Sequence, residues 1–438
     1  MRTDLAEKLL GRALEKGASH AEVYGKWTRR LQVEAKEGDA EAVESSVSMG
    51  YSLRVIREGR PGFSYSTDPE EAGTVAERAI ESSRWSEPDE FLALPQPAVP
   101  ATPEIYDPAI EGIKQEEALE KALLIESAAM NDPRVKRLRK TTAGFAVSET
   151  SIYNTNGMGL LYKATTCTAH TMAVAEEGGD SQMGWDFKAG RFLRDISFGD
   201  VGQTARERAV GMLGARRITA RKSPLIISAP VAVEFLGIFA SLLSSDAVQK
   251  GKSLLKGRLG EIVISDRLSI VDDGLMPGKS GSRPVDDEGV PVMRKYLIKD
   301  GALKGFMYNT YTAKKDNTSS TGNASRAGFF STPGIGPTNI YIEARSVQKD
   351  LVGALGEGLF IMEAMGMHMA NPISGDFSIG VSGLWVEGGK AAFPVKEAVI
   401  SGNILGLFGG ISAAGDDLEF YGNTGSPSLL TGPVDIGA

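Results

Sequence analysis

The sequence predicts an α+β protein with a small N-terminal α+β domain, a mixed α/β middle region and a large β-rich C-terminal domain built as a sandwich or a barrel. Three observations support this class. Apolar residues at helical spacing and at strand spacing alternate through the first half of the chain. Short strand patterns separated by Gly and Asp turns dominate beyond residue 223. The 52 glycines among 438 residues favour turns and hairpins over a helical bundle.

The first region, residues 1–86, combines helices with strands. Leu5, Leu9 and Ala13 recur at helical spacing, whereas residues 31–35 alternate as a strand does. The segment Arg57–Pro61 supplies turn residues between two further strand patterns. The predicted elements are a helix over 4–17, strands over 31–35, 51–56 and 62–66, and a helix over 69–84. Helices on both sides of a group of strands predict a small α+β domain.

A proline-rich segment separates this domain from the middle region. Residues 87–109 contain six prolines, and proline stiffens the chain and lacks the N–H that a β-ladder needs, so a linker is expected. Residues 110–220 follow, with a tight turn predicted at Asn154–Gly157. The predicted elements there are a helix over 111–130, strands between 135 and 187, and a helix over 200–217.

The C-terminal domain is expected over residues 221–438. A short buried strand over 224–228 precedes an apolar helix over 230–243. Beyond this helix, short strands alternate with turns such as Lys299–Gly301, which is typical of an all-β sandwich or barrel.

Composition excludes several classes of function. Lys and Arg number 48 against 56 Asp and Glu, a net charge of −8, which argues against direct nucleic-acid binding. No apolar stretch reaches the roughly 20 residues that a membrane helix needs, and the first residues lack the apolar core of a signal peptide. A cytoplasmic protein without a membrane partner is expected. The single cysteine, Cys167, excludes an intramolecular disulfide.

The residues that bind metals and cofactors are sparse. His20, His170 and His368 lie far apart in sequence, and each is expected at the surface or at a helix end. No H-E-x-x-H template, complete P-loop or strand-linked G-x-G-x-x-G is present. The residues therefore predict neither a metal nor a cofactor.

Nucleophile and carboxylate patterns give weak signals. Ser253 and Lys256 match the S-x-x-K spacing of acyl-transfer enzymes, but a solvated loop is the favoured interpretation. The acid pairs Asp272–Asp273 and Asp286–Asp287 lie beside Gly or Pro turns, where acids usually form Asx turns and stay solvated.

The segment 371–378, with sequence NPISGDFS, is more distinctive. Asn371, Ser374, Asp376 and Ser378 are candidates for binding a peptide or a partner, because short polar side chains bond main-chain groups. The same residues are equally typical of a well-formed turn between strands.

Several segments together resemble one known family. They are AEVY at 21–24, SMGYSLRV at 48–55, NPISGDFS at 371–378, GLWVEGG at 383–389, PVKE at 394–397 and SGN at 401–403. With these motifs the chain resembles, over essentially its whole length, the TldD/PmbA family, known as modulators of DNA gyrase and as the TldD/TldE peptidase. The ending GSPSL at 425–429 is similar to the PmbA (TldE) branch.

The resemblance implies a subunit without the family's zinc site. TldD-type subunits carry H-E-x-x-x-H on the helix after the first strand of the C-terminal domain, and a cysteine near the C-terminus. The matching positions here are Val233, Glu234 and Ile238, so both histidines are replaced by aliphatic residues, and the late cysteine is absent. Val and Ile have no lone pair for a metal, which leaves no activated water. Glu234 is then a weak catalytic candidate, and no metal or cofactor is expected.

The family also implies a partner. A PmbA/TldE-like chain would pair with a TldD-type zinc-bearing subunit, or with a second copy of itself, around a channel for unfolded peptides bound by β-strand addition. Two alternatives stay open. One is a hydrolase using Ser253 with Lys256, or the carboxylates of Glu234 and Glu363. The other is a regulatory protein acting on DNA gyrase or on a toxin–antitoxin pair.

Overall fold

The computed structural model describes residues 3–437, and its first half is organised around one antiparallel sheet of six strands. The strand order is β3-β2-β1-β4-β5-β6. The elements are α1 (Thr3–Glu15), β1 (His20–Lys36), β2 (Asp39–Arg57), β3 (Arg60–Ser66), α2 (Ala72–Arg84), α3 (Pro108–Gly112), α4 (Gln115–Ala129), β4 (Val135–Asn154), β5 (Gly159–Glu177), β6 (Asp180–Gly190) and α5 (Phe198–Gly211). Two short 3₁₀ turns, Pro69–Glu71 and Leu193–Asp195, precede α2 and α5.

This sheet extends across the predicted linker. Strand β1 pairs with β2 on one side and with β4 on the other, so residues before 86 and residues after 135 share one hydrogen-bonded ladder. The segment between them has no helix or strand from residue 85 to 107 but is attached to the sheet. The amide of Asp89 donates to Gly59 O at 2.8 Å, and Asn154 Nδ2 donates to Pro95 O at 3.0 Å.

Two groups of helices cover the sheet. Helices α1 and α2 pack on the part of the sheet nearest β3, and α4 and α5 pack on β1, β4, β5 and β6. Glycine permits the closest approaches. A Cβ at Gly62 would lie 2.0 Å from Ala79 O of α2, and a Cβ at Gly184 would lie 2.3 Å from the Ala209 nitrogen of α5. Some of the abundant glycines therefore serve helix-on-sheet packing as well as turns.

The C-terminal half contains a second group of elements. They are β7 (Arg221–Ile227), α6 (Ala229–Leu242), α7 (Ser245–Gln249), β8 (Leu268–Asp273), β9 (Arg294–Lys299), β10 (Ala302–Leu303), α8 (Thr310–Lys315), β11 (Ala324–Ser325), β12 (Gly334–Ile335), β13 (Ile340–Ala344), α9 (Leu351–Leu355), β14 (Gly358–Met365), β15 (Asp376–Glu387), β16 (Lys390–Asn403), α10 (Ile404–Gly409), β17 (Ile411–Ala414), β18 (Glu419–Tyr421), β19 (Thr424–Ser426) and β20 (Leu429–Gly437). A 3₁₀ turn, Met367–Met369, lies between β14 and β15.

Five of these strands close into a barrel. The order β16-β15-β14-β7-β20 is completed by pairing between β16 and β20. A second sheet has the order β10-β9-β8-β13-β19-β18. Phe235, Leu236 and Phe239 of α6 are fully buried and belong to the same apolar core as side chains of both sheets. The prediction of an α+β protein with a β-rich C-terminal half is confirmed, and a barrel is the form observed.

The two acid pairs that were expected to face water are buried. Asp272 and Asp286 have no exposed surface, and Asp273 and Asp287 are 8% exposed. Asp272 accepts hydrogen bonds from the Thr338 amide at 2.7 Å and pairs with Lys295 Nζ at 2.8 Å. Asx turns do form, since Asp273 Oδ1 accepts from the Leu275 amide and Asp286 Oδ1 accepts from the Glu288 amide, each at 2.9 Å. The prediction that these acids face water was wrong, because segments distant in sequence supply the partners that water would otherwise supply.

Within residues 3–437, the helices are too short or too polar for any of them to cross a bilayer.

Candidate functional site

The candidate site lies on α6, directly after the first strand of the C-terminal half. Ser228 adopts an extended conformation before the helix, and Pro230 occupies its first turn, where a missing N–H costs nothing. Val233 is buried, whereas Glu234 and Ile238 are partly exposed. In a regular α-helix, residues five positions apart point about 140° away from each other. Glu234 therefore lies on the side of α6 that faces away from the core, with Val233 and Ile238 on either side of it.

Glu234 lies next to a second acid. Burial and, to a smaller extent, the nearby carboxylate of Glu363 together raise the pKa of Glu234 from its ordinary value of 4.5 to about 7. Burial likewise raises the pKa of Glu363, which extends from β14 and accepts a hydrogen bond from Ser382 Oγ at 3.4 Å. The fold brings together two acids that are 129 positions apart in sequence, and a carboxyl group titrating near neutrality is suited to proton transfer.

The donor set around this pair does not fit zinc. A catalytic zinc site takes three protein ligands from His, Cys and carboxylate side chains. Within residues 3–437 no three such side chains are grouped closely enough to hold a metal ion. His20 begins β1, His170 lies half-buried within β5, and His368 lies in the exposed turn after β14. The position of His170 differs from the expected surface or helix-end location, because β5 is paired on both sides there, with Thr142 of β4 and Phe187 of β6 opposite His170.

The raised pKa of Glu234 predicts a pH-dependent gain in stability on replacement by glutamine. The folded-state pKa exceeds the unfolded-state value, so ionisation of the buried Glu234 destabilises the folded state. This destabilisation is absent below pH 4.5, grows as pH rises, and is complete above about 7. Glu234→Gln should therefore raise the free energy of unfolding by about 1–2 kcal/mol at pH 8, after allowance for solvent screening, and change it little at pH 4.5. Urea titrations at both pH values measure this difference. An equal effect at the two values would contradict the buried-acid assignment.

The S-x-x-K pair does not form a catalytic arrangement in the structure. Ser253 is buried in an irregular segment after α7, where its Oγ donates to Leu242 O at 2.7 Å and accepts from the Leu255 amide at 3.1 Å. Lys256 lies on the exposed side of the same segment. The hydroxyl of Ser253 therefore stabilises the turn after α6, and the interpretation of a solvated loop is correct for the loop but wrong for this side chain.

Of the four polar residues of the segment 371–378, Asn371 and Ser374 lie in the turn before β15, and Asp376 and Ser378 lie at the start of β15. Asn371 Oδ1 accepts from the Ile373 amide at 2.9 Å, which forms an Asx turn, and from the Ser374 amide at 3.2 Å. Asn403, at the start of α10, donates to Asp376 Oδ1 at 2.9 Å, and this bond holds the pKa of Asp376 below its ordinary value. Ser401 Oγ lies 3.1 Å from Ser378 Oγ. Local bonding accounts for all four residues, so peptide or partner binding there stays a prediction.

This turn is connected to α6 and borders a groove. The rings of Phe235 and Phe377 meet edge-on with centroids 5.2 Å apart, which joins the candidate helix to the turn. A groove of about 420 Å³ lies beside them, lined by Lys222, Ser401 and Asn403 together with residues 431–435 of β20. Phe377 therefore contacts α6 and also lines the groove.

Sequence reasoning missed a buried charged network between the two halves of the chain. Arg54 of β2 lies 2.8 Å from Glu22 Oε2 and 3.0 Å from Glu288 Oε1, and Arg326 also pairs with Glu22. Both glutamates are essentially unexposed. No local signal marks these residues, because single charges within a strand pattern usually face water.

Comparison with known proteins agrees with this architecture. Family models described as PmbA/TldA metallopeptidase domain 1, central domain and C-terminal domain match residues 21–83, 108–213 and 220–438. Metalloprotease PmbA of Escherichia coli O157:H7 is 28% identical over 99% of this chain and 96% of its own length. The metalloprotease TldD homologue of Haemophilus influenzae is 29% identical over 71% of this chain and 67% of its own length.

Solved structures show the same fold. A Thermotoga maritima MSB8 protein described as a candidate modulator of a DNA gyrase superposes with a TM-score of 0.92 and 27% identity, covering 99% of both chains. TldE of Thermococcus kodakarensis, at 22% identity, superposes with a TM-score of 0.87 over 99% of this chain and 100% of its own. The matching domains and the shared fold agree with the sequence motifs, and the chain belongs to the TldD/PmbA family of metallopeptidases.

Proposed function

We propose that this chain is the metal-free, PmbA/TldE-like subunit of a TldD/TldE-type peptidase that processes unfolded peptides. The proposal rests on α6, where Val233 and Ile238 lie on either side of Glu234 at the positions that the family resemblance assigns to zinc ligands. Aliphatic side chains bind no cation, so hydrolysis would depend on zinc held by a partner chain.

An exposed length of β2 supports the need for a partner. Residues 41–49 are exposed on both faces, with Val47 62% and Met49 45% accessible. Strand β3 pairs with β2 only at residues 51–57, and in the described chain no strand pairs with the outer edge of residues 41–49. This leaves about 30 Å of open edge.

A folded partner fits this segment better than a free peptide. An added peptide strand would pair with the edge and leave both faces of β2 in water, including its apolar side chains. A folded chain covers the edge and the faces together, which is the usual way in which proteins protect long edges. We therefore assign this edge to the zinc-bearing subunit, or to a second copy in its absence. The turn at 371–378 and its groove are the proposed contacts for extended peptide.

The experiment compares the purified chain alone with the chain mixed with a TldD-type subunit. Alone, it should contain far less than one zinc per chain and should not cleave unfolded casein. The mixture should contain one zinc per pair and cleave casein. Val47→Glu should reduce the assembled fraction in size-exclusion chromatography, whereas Val99→Glu, at a site 96% exposed in residues 87–109, should not. Stoichiometric zinc with cleavage by the lone chain would overturn the proposal.

A metal-independent hydrolase is the second candidate, favoured by one observation. Glu234 and Glu363 lie together with raised pKa values, which is an arrangement that suits acid–base chemistry. This alternative predicts cleavage by the lone chain that persists in a chelator and disappears in Glu234→Gln. Regulation of DNA gyrase or of a toxin–antitoxin pair stays a hypothesis. A pull-down that recovers only a TldD-type chain would count against it.

A further inference from the structure

A second cavity, of about 650 Å³, lies between the two halves of the chain. One wall is the face of the large sheet, where Tyr24, Lys26 and Tyr162 project from β1 and β5. The opposite wall consists of C-terminal loops around residues 280–287 and 325–330. Among the described residues that line it, none belongs to α6 or to the turn at 371–378. Clefts between domains are common ligand sites.

The lining carries an excess of positive charge. Four cations face this cavity, namely Lys26, Arg191, Arg283 and Arg326, against one acid, Asp287. Two of the cations have acidic partners, since Arg326 pairs with Glu22, and Arg283 lies 3.4 Å from Asp287. The neighbouring Asp286 accepts hydrogen bonds from the main chain, including the Ala324 amide at 2.9 Å.

The other two cations have only neutral partners. Arg191 donates through both terminal nitrogens to Thr165 O, Thr166 Oγ1, Ser280 O and Ser282 O. Lys26 Nζ donates to Thr150 Oγ1 at 2.8 Å. Within residues 3–437, no carboxylate lies within ion-pair distance of either side chain. Burial lowers the pKa of both Lys26 and Arg191, the latter to about 10, and for Lys26 the carboxylate of Asp287 offsets only part of this effect.

Unused hydrogen-bond donors accompany this charge. Arg191 Nε, Arg283 Nε and Ser280 Oγ are buried and have no partner in the structure. An unpartnered buried donor is costly, and a buried cation without an anion is more so. Water entering the cavity satisfies donors but does not neutralise charge. An oxyanion does both, because its oxygens accept several hydrogen bonds and carry the opposite sign.

We propose that this cavity binds a small molecule through an oxyanion, either a carboxylate or a phosphate group, held by Lys26, Arg191 and Ser280. The rings of Tyr24, Tyr162 and Phe329 provide the wall against which the rest of the ligand packs. This inference goes beyond the proposed peptidase function, since it concerns a different cavity and requires neither zinc nor a partner chain.

Thermal unfolding and calorimetry of the whole chain test the proposal, with sodium phosphate and sodium citrate as probes and sodium chloride at matched ionic strength as the reference. At least one probe should raise the Tm of the wild-type chain above that of the reference and bind saturably. Lys26→Met should weaken that binding at least about tenfold, because it removes one of the two unpaired charges. The same variant should raise the Tm of the ligand-free chain, since it relieves a buried charge.

Two further variants complete the test. Ser280→Ala removes one unused donor and leaves the charges in place, so it should weaken binding less than Lys26→Met and should fold normally. Arg345→Gln removes an exposed cation elsewhere and should leave binding unchanged. Equal Tm values in phosphate, citrate and chloride would overturn the proposal, as would undiminished binding by Lys26→Met. Neither outcome depends on the zinc or peptidase results.

Discussion

Arg54→Met is expected to lower the free energy of unfolding by about 3–5 kcal/mol, because removing one member of a buried ion pair leaves a buried carboxylate without its counter-charge. Glu288 would lose its cation, and Glu22 would keep only its pair with Arg326. Glu22 is 1% exposed and Glu288 is 0% exposed, and Arg54 lies within 3.0 Å of a carboxylate oxygen of each. The neighbouring carboxylates raise the pKa of Arg54 above its ordinary value, so the guanidinium is charged in the folded protein and neutralises them. Urea denaturation at pH 7 measures the loss.

A double variant provides the control for this prediction. Glu288→Gln added to Arg54→Met removes the stranded charge while keeping the shape of the side chain, and Glu22 keeps its pair with Arg326, so much of the lost stability should return. A loss below about 1 kcal/mol in the single variant would show that water reaches the network. A double variant no more stable than the single one would show that packing, rather than charge, explains the loss.

Asp272→Ala is the second change with a large expected effect, again a loss of about 3–5 kcal/mol. The carboxylate accepts from the Thr338 amide at 2.7 Å, from Asn323 Nδ2 at 2.8 Å and from Lys295 Nζ at 2.8 Å. Alanine would leave a largely buried ammonium and several donors without acceptors. The affected segments meet at β8, inside the C-terminal half, so the unfolding transition should shift cooperatively.

The exposed Asp416 provides the matched control, because Asp416→Ala removes an acid of the same chain that faces water. Its effect should stay within about 0.5 kcal/mol. Calorimetry and urea titration of both variants measure the contrast. Equal small effects for Asp272→Ala and Asp416→Ala would contradict the buried acceptor described above.

The local sequence pattern was sufficient to predict most elements of the fold. The helix predicted over 230–243 is observed as Ala229–Leu242, because its apolar residues and the proline at its start act within one short segment. The turn at Asp300–Gly301 is found as predicted, with φ values of 47° and 76° that favour those two residue types.

Long-range pairing was the part that the sequence did not reveal. Strand β1 runs from His20 to Lys36, although only residues 31–35 show clear alternation. Its middle is paired on both sides, by β2 and by β4, and this tertiary pairing decides the conformation there. Strand β1 is therefore longer than its local pattern predicts.

The candidate site also has one part that the sequence predicts and another part that only the fold reveals. The identities of Val233, Glu234 and Ile238 are read from one segment, so their chemistry was accessible from sequence. The approach of Glu363 to Glu234 was not, because β14 lies more than a hundred residues further along the chain. The burial of Asp272 and the cations around Arg191 also required the fold, since local composition makes acids and cations appear solvated.

The double pairing of β1 has a consequence for biosynthesis. When the ribosome has released the first hundred residues, β1 has β2 beside it but its other neighbour, Val135–Asn154, has not yet been made. One edge of β1 therefore stays unpaired while roughly fifty more residues are added to the nascent chain. An unpaired strand edge is a known template for aggregation. Stopping translation near residue 100 would release a fragment that aggregates, whereas stopping it after the completed β6 would not leave β1 unpaired.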